Sequence, residues 1–294
     1  MKKLFTSAIA LMTFAVANAQ MNVDVTTQMG NNNEAYVNQT GLANINFLTQ
    51  DGNRNDATID QTGILNVNTA LSEGNRNNID VDQIGVFNMN STEQYGNRNS
   101  ATTYQLGIMN SVEQVQTGNR NTVSAVQLGA FNEATQYQTG NRNVASALQV
   151  GIGNISEQEQ VGNRNEASVI QLGIDNYAWQ LQEGNRNSAV AVQLGSDNES
   201  YQYQDGNRNS ATQMQLGSDN YVDSWQVGND NTTFGLQVGN DNSLEQWQVG
   251  DGNIALDVQM GNNNDMHIHQ TGDSNFHLGT QIGNNNIASI HQSN

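Results

Sequence analysis

Neither cysteine nor proline occurs anywhere in the 294 residues. Without cysteine there is no disulfide framework, so an exported domain of this sequence has to be held by its own core or by assembly. Without proline no backbone N–H is forfeited, as expected where nearly all donors are needed in a hydrogen-bond ladder. Lysine is confined to Lys2 and Lys3; beyond them eight arginines stand against 28 Asp and Glu, a net charge of −20. That sign argues against nucleic acid as a partner. Only 35% of the chain is hydrophobic, which with this charge would by itself suggest disorder.

The start of the chain reads as an address. Lys2 and Lys3 precede an apolar stretch from Leu4 to Val16, and Ala17-Asn18-Ala19 fits the small-residue cleavage rule. The stretch is shorter than the roughly 20 apolar residues that cross a bilayer, and no later segment is apolar enough to span one. A signal peptide over 1–19 is therefore predicted, with Gln20 as the new N-terminus and 20–294 as a single exported domain.

Periodicity overrides the disorder prior. From Gly30 to Gly283 a glycine recurs at every eleventh position, 24 times, with Asn three residues after each and Gln two residues before each, Ser72 being the single exception. Biased but disordered sequence does not hold phase over such a length, so a repeated structural unit is expected. Between Asn and Gln the pattern has period two, as in Asn121-Thr122-Val123-Ser124-Ala125-Val126-Gln127, which predicts a strand with Asn, the third and fifth residues, and Gln facing inward. The other four residues form a turn, where Gly supplies positive φ.

A slower rhythm sets the arrangement. Gly52, Gly74, Gly96, Gly118, Gly140, Gly162, Gly184 and Gly206 open turns that carry Arg54, Arg76, Arg98, Arg120, Arg142, Arg164, Arg186 and Arg208, whereas the alternate turns read as Gly63-Ile64-Leu65-Asn66 or Gly195-Ser196-Asp197-Asn198. One coil is then two strands and two turns, 22 residues, and about 12 coils make the domain. The predicted fold is all-β, a two-sided parallel β-solenoid of amyloid-like character; an antiparallel meander would leave the alternation of turns unexplained. Buried amides are costly unless paired, and identical amides in register can pair with each other. Columns are expected for Gln28, Gln39, Gln50, Gln61, Gln83, Gln105, Gln127, Gln149, Gln171, Gln193, Gln215, Gln237, Gln259 and Gln281, and for Asn33, Asn55, Asn77, Asn99, Asn121, Asn143, Asn165, Asn187 and Asn209.

These residues resemble a known family. The motif Gln105-Leu106-Gly107-Ile108-Met109-Asn110 followed by Gln116 is similar to the curlin repeat of bacterial curli fibre subunits, and the resemblance covers essentially all of 20–294. The chain departs from that family in its larger number of repeats and in Asn where curlin repeats begin with Ser. The resemblance implies export through an outer-membrane secretion channel, nucleation at the cell surface by a nucleator homologue, and growth into extracellular amyloid fibres of a biofilm matrix. The sequence itself adds that the array keeps phase from Asn22 to Gln292 with no visible cap, as expected of head-to-tail polymerisation.

The remaining signals are weaker. The arginines read first as a solvated corner, offset in part by Asp51, Glu73, Glu183 and Asp205, with slowing of aggregation or binding of an anionic polymer as the alternative. Asp175, Asp197, Asp219 and Asp241 read as surface charge before they read as a cation row. His267, His269 and His291 are weak metal candidates. Val126, Leu148, Ile170, Val192, Met214, Leu236 and Val258 are expected as an exposed apolar stripe, opposite Tyr137, Tyr203, Trp225 and Trp247. An unbroken period leaves no insertion in which to gather catalytic groups, so neither an enzyme nor a cofactor site is expected. The rival function is a capped monomeric solenoid acting as an adhesin or a glycan- or ice-binding surface.

Overall fold

The computed structural model describes residues 21–294; the predicted signal peptide lies outside them. Twenty-five strands run from β1 (Val23–Asn31) and β2 (Glu34–Leu42) to β24 (Phe276–Ile282) and β25 (Ile287–Ser293). Odd-numbered strands form one sheet of 13 and even-numbered strands another of 12. Every pairing is parallel with a register of 22, as in Val123 against Ala145 and Gln127 against Gln149. The meander alternative is thereby excluded, and the chain is the expected β-solenoid.

The two sheets enclose a thin core. The even-stranded sheet supplies a column of small residues, Ala101, Val123, Ala145 and Ala167, and the facing sheet supplies Gln114, Gln136, Gln158 and Gln180, all buried. Larger apolar side chains gather toward the two ends of the stack, with Leu48, Ile59 and Ile79 at one and Leu244, Met266 and Ile268 at the other. Each buried methylene contributes only about 0.8 kcal/mol. An alanine-lined middle therefore gains little from apolar burial, and its polar partners carry more of the load.

Each turn holds two residues at positive φ. Gly118 has φ of 121° and Arg120, two residues on, has φ of 60°. The sequence reading assigned positive φ to glycine alone. The second position takes Arg, Asp, Asn, Phe, Leu, Met, Ala, Ser and Gly, and for all but Gly, Asn and Asp the left-handed conformation is costly. The coil below compensates with a backbone bond, since Arg120 N donates to the Asn97 carbonyl at 3.0 Å. At the first position glycine is required twice over, because a Cβ on Gly118 would sit inside the Gly140 carbonyl.

Gly118→Ala should destabilise the fold by about 3 kcal/mol or more through left-handed strain and overlap with backbone. Urea unfolding beside Thr117→Ala checks this; equal midpoints for the two variants would contradict the packing described.

Candidate assembly interface

The inward glutamines form directional relays. In the 12-stranded sheet Gln39 Nε2 donates to Gln61 Oε1 at 2.7 Å and Gln61 to Gln83 at 2.8 Å, and the relay runs on through Gln105, Gln127, Gln149, Gln171, Gln193, Gln215, Gln237 and Gln259 to Gln281. The same Nε2 also reaches across the core, as Gln127 does to the Ser111 carbonyl at 2.9 Å. Each amide thus ties coil to coil and sheet to sheet. In the 13-stranded sheet Gln28 donates to Gln50, Ser72 interrupts, and Gln94 to Gln116 restarts a run that ends at Gln292. A further run, Gln114-Gln136-Gln158-Gln180-Gln202, fills the middle of the core.

The asparagines need a correction. Asn33, Asn55, Asn77, Asn99, Asn121, Asn143, Asn165 and Asn187 are not stacked amide to amide. Asn77 Oδ1 accepts the backbone N–H of Asn99 at 3.0 Å, while its Nδ2 donates to the Gly96 carbonyl at 2.9 Å. One methylene shorter than Gln and placed at the turn, Asn clamps the backbone of the next coil. Amide-to-amide pairing occurs behind turns that lack Arg, as from Asn66 to Asn44 at 3.1 Å, and Asn209 accepts such a bond only from Asn231, which follows Asp230. Two Asn series escaped the sequence reading. Asn46, Asn68 and Asn90 form a short buried ladder, and Asn31 begins an exposed one through Asn53, Asn75, Asn97 and onward to Asn207. Their spacing of 22 was the available signal.

These bonds give every coil the same polarity. Gln N–H groups and Asn Oδ1 atoms face the next coil, and Gln Oε1 atoms and Asn backbone N–H groups face the previous one. The two faces are complementary, and complementarity belongs to the repeat rather than to a specialised end.

The corners carry the charge. All eight arginines are exposed in one column. At a coil rise of about 4.8 Å, adjacent guanidinium charges in water repel by about 0.9 kcal/mol before salt screening. The expected offset by Asp51, Glu73, Glu183 and Asp205 is not formed. Among the described residues the one arginine ion pair joins Arg208 to Asp230 through Nε–Oδ1 and Nη2–Oδ2 contacts of 2.6 Å. Those acids sit on the sheet face before the glycine, whereas Arg leaves the corner two residues after it. A groove of about 1150 Å³ runs along this corner, from Asn75 and Arg76 to Asp251. Asp175, Asp197, Asp219 and Asp241 occupy the opposite corner, exposed, with φ of 54° to 56°.

The aliphatic stripe from Val126 to Val258 is only half-buried rather than fully exposed, because each side chain packs on the one a coil away. A row of more exposed apolar side chains lies on the corner opposite the arginines, at Leu42, Ile64, Phe87, Ile108, Phe131 and Ile152. On the face of the 13-stranded sheet Tyr203, Trp225 and Trp247 stack with ring centroids 4.1 and 5.8 Å apart, and His269 and His291 continue the column.

His267 stands apart from those two histidines. Its Nδ1 lies 2.8 Å from Glu245 and its Nε2 3.0 Å from Asp265. Partial burial pulls its pKa down, but the Glu245 hydrogen bond and both carboxylate charges outweigh that and raise it. Among the described residues no group of His, Asp or Glu side chains is arranged to hold a metal ion, and the weak candidates His267, His269 and His291 are not brought together, since His269 stacks on His291 while His267 pairs with carboxylates. The fourth histidine was missed: His277 points inward, with its Nε2 3.0 Å from Oδ1 of the fully buried Asp257. Gly279 gives them room, and an acid and a histidine on inward places of adjoining coils were the signal. Burial raises the Asp257 pKa against the pull of Gln246 and His277.

No helix among the described residues is long and apolar enough to cross a membrane. Compared with known proteins, the chain matches no family model and no curated protein.

Ser72 Oγ and Gln94 Oε1 are buried without hydrogen-bond partners. Ser72→Gln supplies an acceptor for Gln50 and a donor for Gln94, so thermal or urea unfolding should show a gain of about 1–3 kcal/mol; a loss would mean that the relays do not govern stability.

Acid should also stabilise the fold. Burial, then Glu245, raise the Asp223 pKa from 3.8 to about 6, and burial with Asp60 raises Asp80 and Asp82. A folded-state pKa raised above the unfolded one gives stability that is full below 3.8 and is lost as pH rises through about 6. Unfolding midpoints should therefore climb from about pH 7.5 to about pH 5, and Asp223→Asn should flatten the rise.

Proposed function

We propose that this protein is a secreted structural subunit that polymerises head-to-tail into extracellular amyloid fibres of the curli type, serving adhesion and aggregation in a biofilm matrix. The observation that carries the reading is the shared polarity of the coils. A coil face whose donors and acceptors match the opposite face of any other coil fits a second copy of the chain as well as it fits its own neighbour. A contact of this kind translates without closing and so builds a filament. Half-buried Ala35 and Val37 at one end, and Ala288 and Ile290 at the other, offer the core for continuation.

The partners under this reading are further copies of the chain. An outer-membrane channel that passes it unfolded and a nucleator homologue follow from the resemblance of its Gln-x-Gly-x-x-Asn repeats to curlin repeats. The leader sequence supports export. The role is structural rather than catalytic, because the described surface consists of residue columns set by one repeat. The glycan- or ice-binding alternative is less well supported. Its flat platform would need ring faces turned outward, whereas Tyr203 and Trp225 lie over each other with a tilt of 31°.

Purified 20–294 incubated with sheared seeds should give Thioflavin T-positive fibres with a meridional reflection near 4.8 Å. Gln39→Glu combined with Gln281→Glu, which sets like charges across a junction, should slow seeded elongation at least about tenfold. Persistent monomers in the seeded wild-type reaction, by electron microscopy, would overturn the proposal.

A further inference from the structure

Among the described residues the arginine corner is the one surface that gathers uncompensated positive charge. Its guanidinium groups repeat once per coil, and those from Arg54 to Arg186 have no carboxylate within ion-pair distance among the described residues. Solubility alone does not require this, since acids elsewhere already set a strong net charge. A repeated run of like charge beside a groove is suited to a partner of opposite charge and similar repeat.

Arg208 shows how such a partner is held. Asp230 stands one coil on, at the place where the other seven arginines meet another arginine, and its carboxylate takes two parallel bonds from the Arg208 guanidinium. This is the planar, bidentate geometry that distinguishes arginine from lysine. The exposed Asn ladder runs beside the column. Each Asn uses one amide N–H on its neighbour, as Asn119 does to Asn141 at 3.0 Å, which leaves the second for a hydroxyl. The groove is continuous along both.

We propose that this corner binds a single chain of a linear polyuronate, a polysaccharide bearing one carboxylate per sugar. An extended chain of pyranose rings advances by a distance of the same order as the coil rise, so successive carboxylates meet successive guanidinium groups as Asp230 meets Arg208. The sugar hydroxyls face the asparagine amides. A nucleic acid fits less well, because a second strand or bulky bases would be pressed against Asp51, Glu73, Glu183 and Asp205 on the flanking face. The site goes beyond the fibre reading and stands without it, since the whole column lies within one chain.

The test is titration of the purified chain, soluble or as fibres, with polygalacturonate, neutral dextran and single-stranded oligothymidylate. Polygalacturonate should bind and dextran should not, with affinity falling at least about tenfold between low and physiological salt. Replacing Arg98, Arg120, Arg142, Arg164 and Arg186 with Gln should cut binding about 100-fold or more while circular dichroism stays unchanged. The same five Arg→Lys changes, which keep charge and fold, should cost about tenfold through lost bidentate contacts. Absence of polygalacturonate binding at low salt, equal binding by the Lys variant, or oligothymidylate binding as tight as polygalacturonate would each overturn the assignment, whether or not fibres form.

Discussion

Everything in this molecule depends on one constraint, the exact superposition of each residue on the residue 22 positions later. A buried carboxamide is costly unless its donors and acceptor are met. Here the partner is the same residue type one coil away, so the sequence satisfies the ladder by repeating itself. Gln127 accepts from Gln105, donates to Gln149 and reaches the Ser111 carbonyl across the core, so one side chain fixes register, stacking and sheet separation together. A slip of one residue would turn every glutamine outward and strand its amide partners.

The thin core follows from the same constraint. Two sheets whose inner faces carry alanine on one side and glutamine on the other can approach closely, but they bury little apolar area. Stability then resembles that of a one-dimensional array, a sum of coil terms and coil-to-coil contacts. Leucine, isoleucine and methionine concentrate in the outer coils, where a core side chain has fewer neighbours, and the amide-lined middle relies on neighbours on both sides. Ser72 marks the weak point of the scheme, because it leaves one buried acceptor unmet without breaking the backbone pairing on either side.

Much of this was legible in the sequence, because period 22 is a statement about pairing and period two is a statement about facing. Together they specify parallel sheets, the inward glutamines and the corners. The asparagines misled because their spacing is equally regular, while their shorter side chain at a turn reaches backbone rather than another amide; spacing gives position, not reach. The left-handed backbone at Arg120 was hidden because Arg carries no preference for that conformation; the neighbouring coil imposes it. Asp257 and His277 sit at places that in most other coils hold small or apolar residues, and only their contact in three dimensions explains two ionisable groups there. The aliphatic row was placed on the correct face but given too much exposure, because in a stack each outward side chain shields the next.

Stacking in register also turns every outward residue into part of a column, which makes charge placement a problem the repeat has to solve. On the first sheet's face it is solved in part by spacing. Glu113 and Glu157 are separated by Thr135, Glu93 and Glu159 by Val115 and Tyr137, and Glu133, Glu199 and Asp265 by pairs of uncharged residues. The spacing lapses where Asp51 pairs with Glu73, Glu183 with Asp205 and Asp223 with Glu245, and at the last of these burial and the neighbouring carboxylate push the Asp223 pKa up to about 6. At the corners the rows run on, four aspartates from Asp175 to Asp241 on one and arginine in eight successive coils on the other. Spacing was available there too, since Asp230 shows that the turn accepts another residue at the same backbone geometry. An uninterrupted row is therefore not forced by the fold, and its electrostatic cost calls for an anion that the described residues provide only at Arg208.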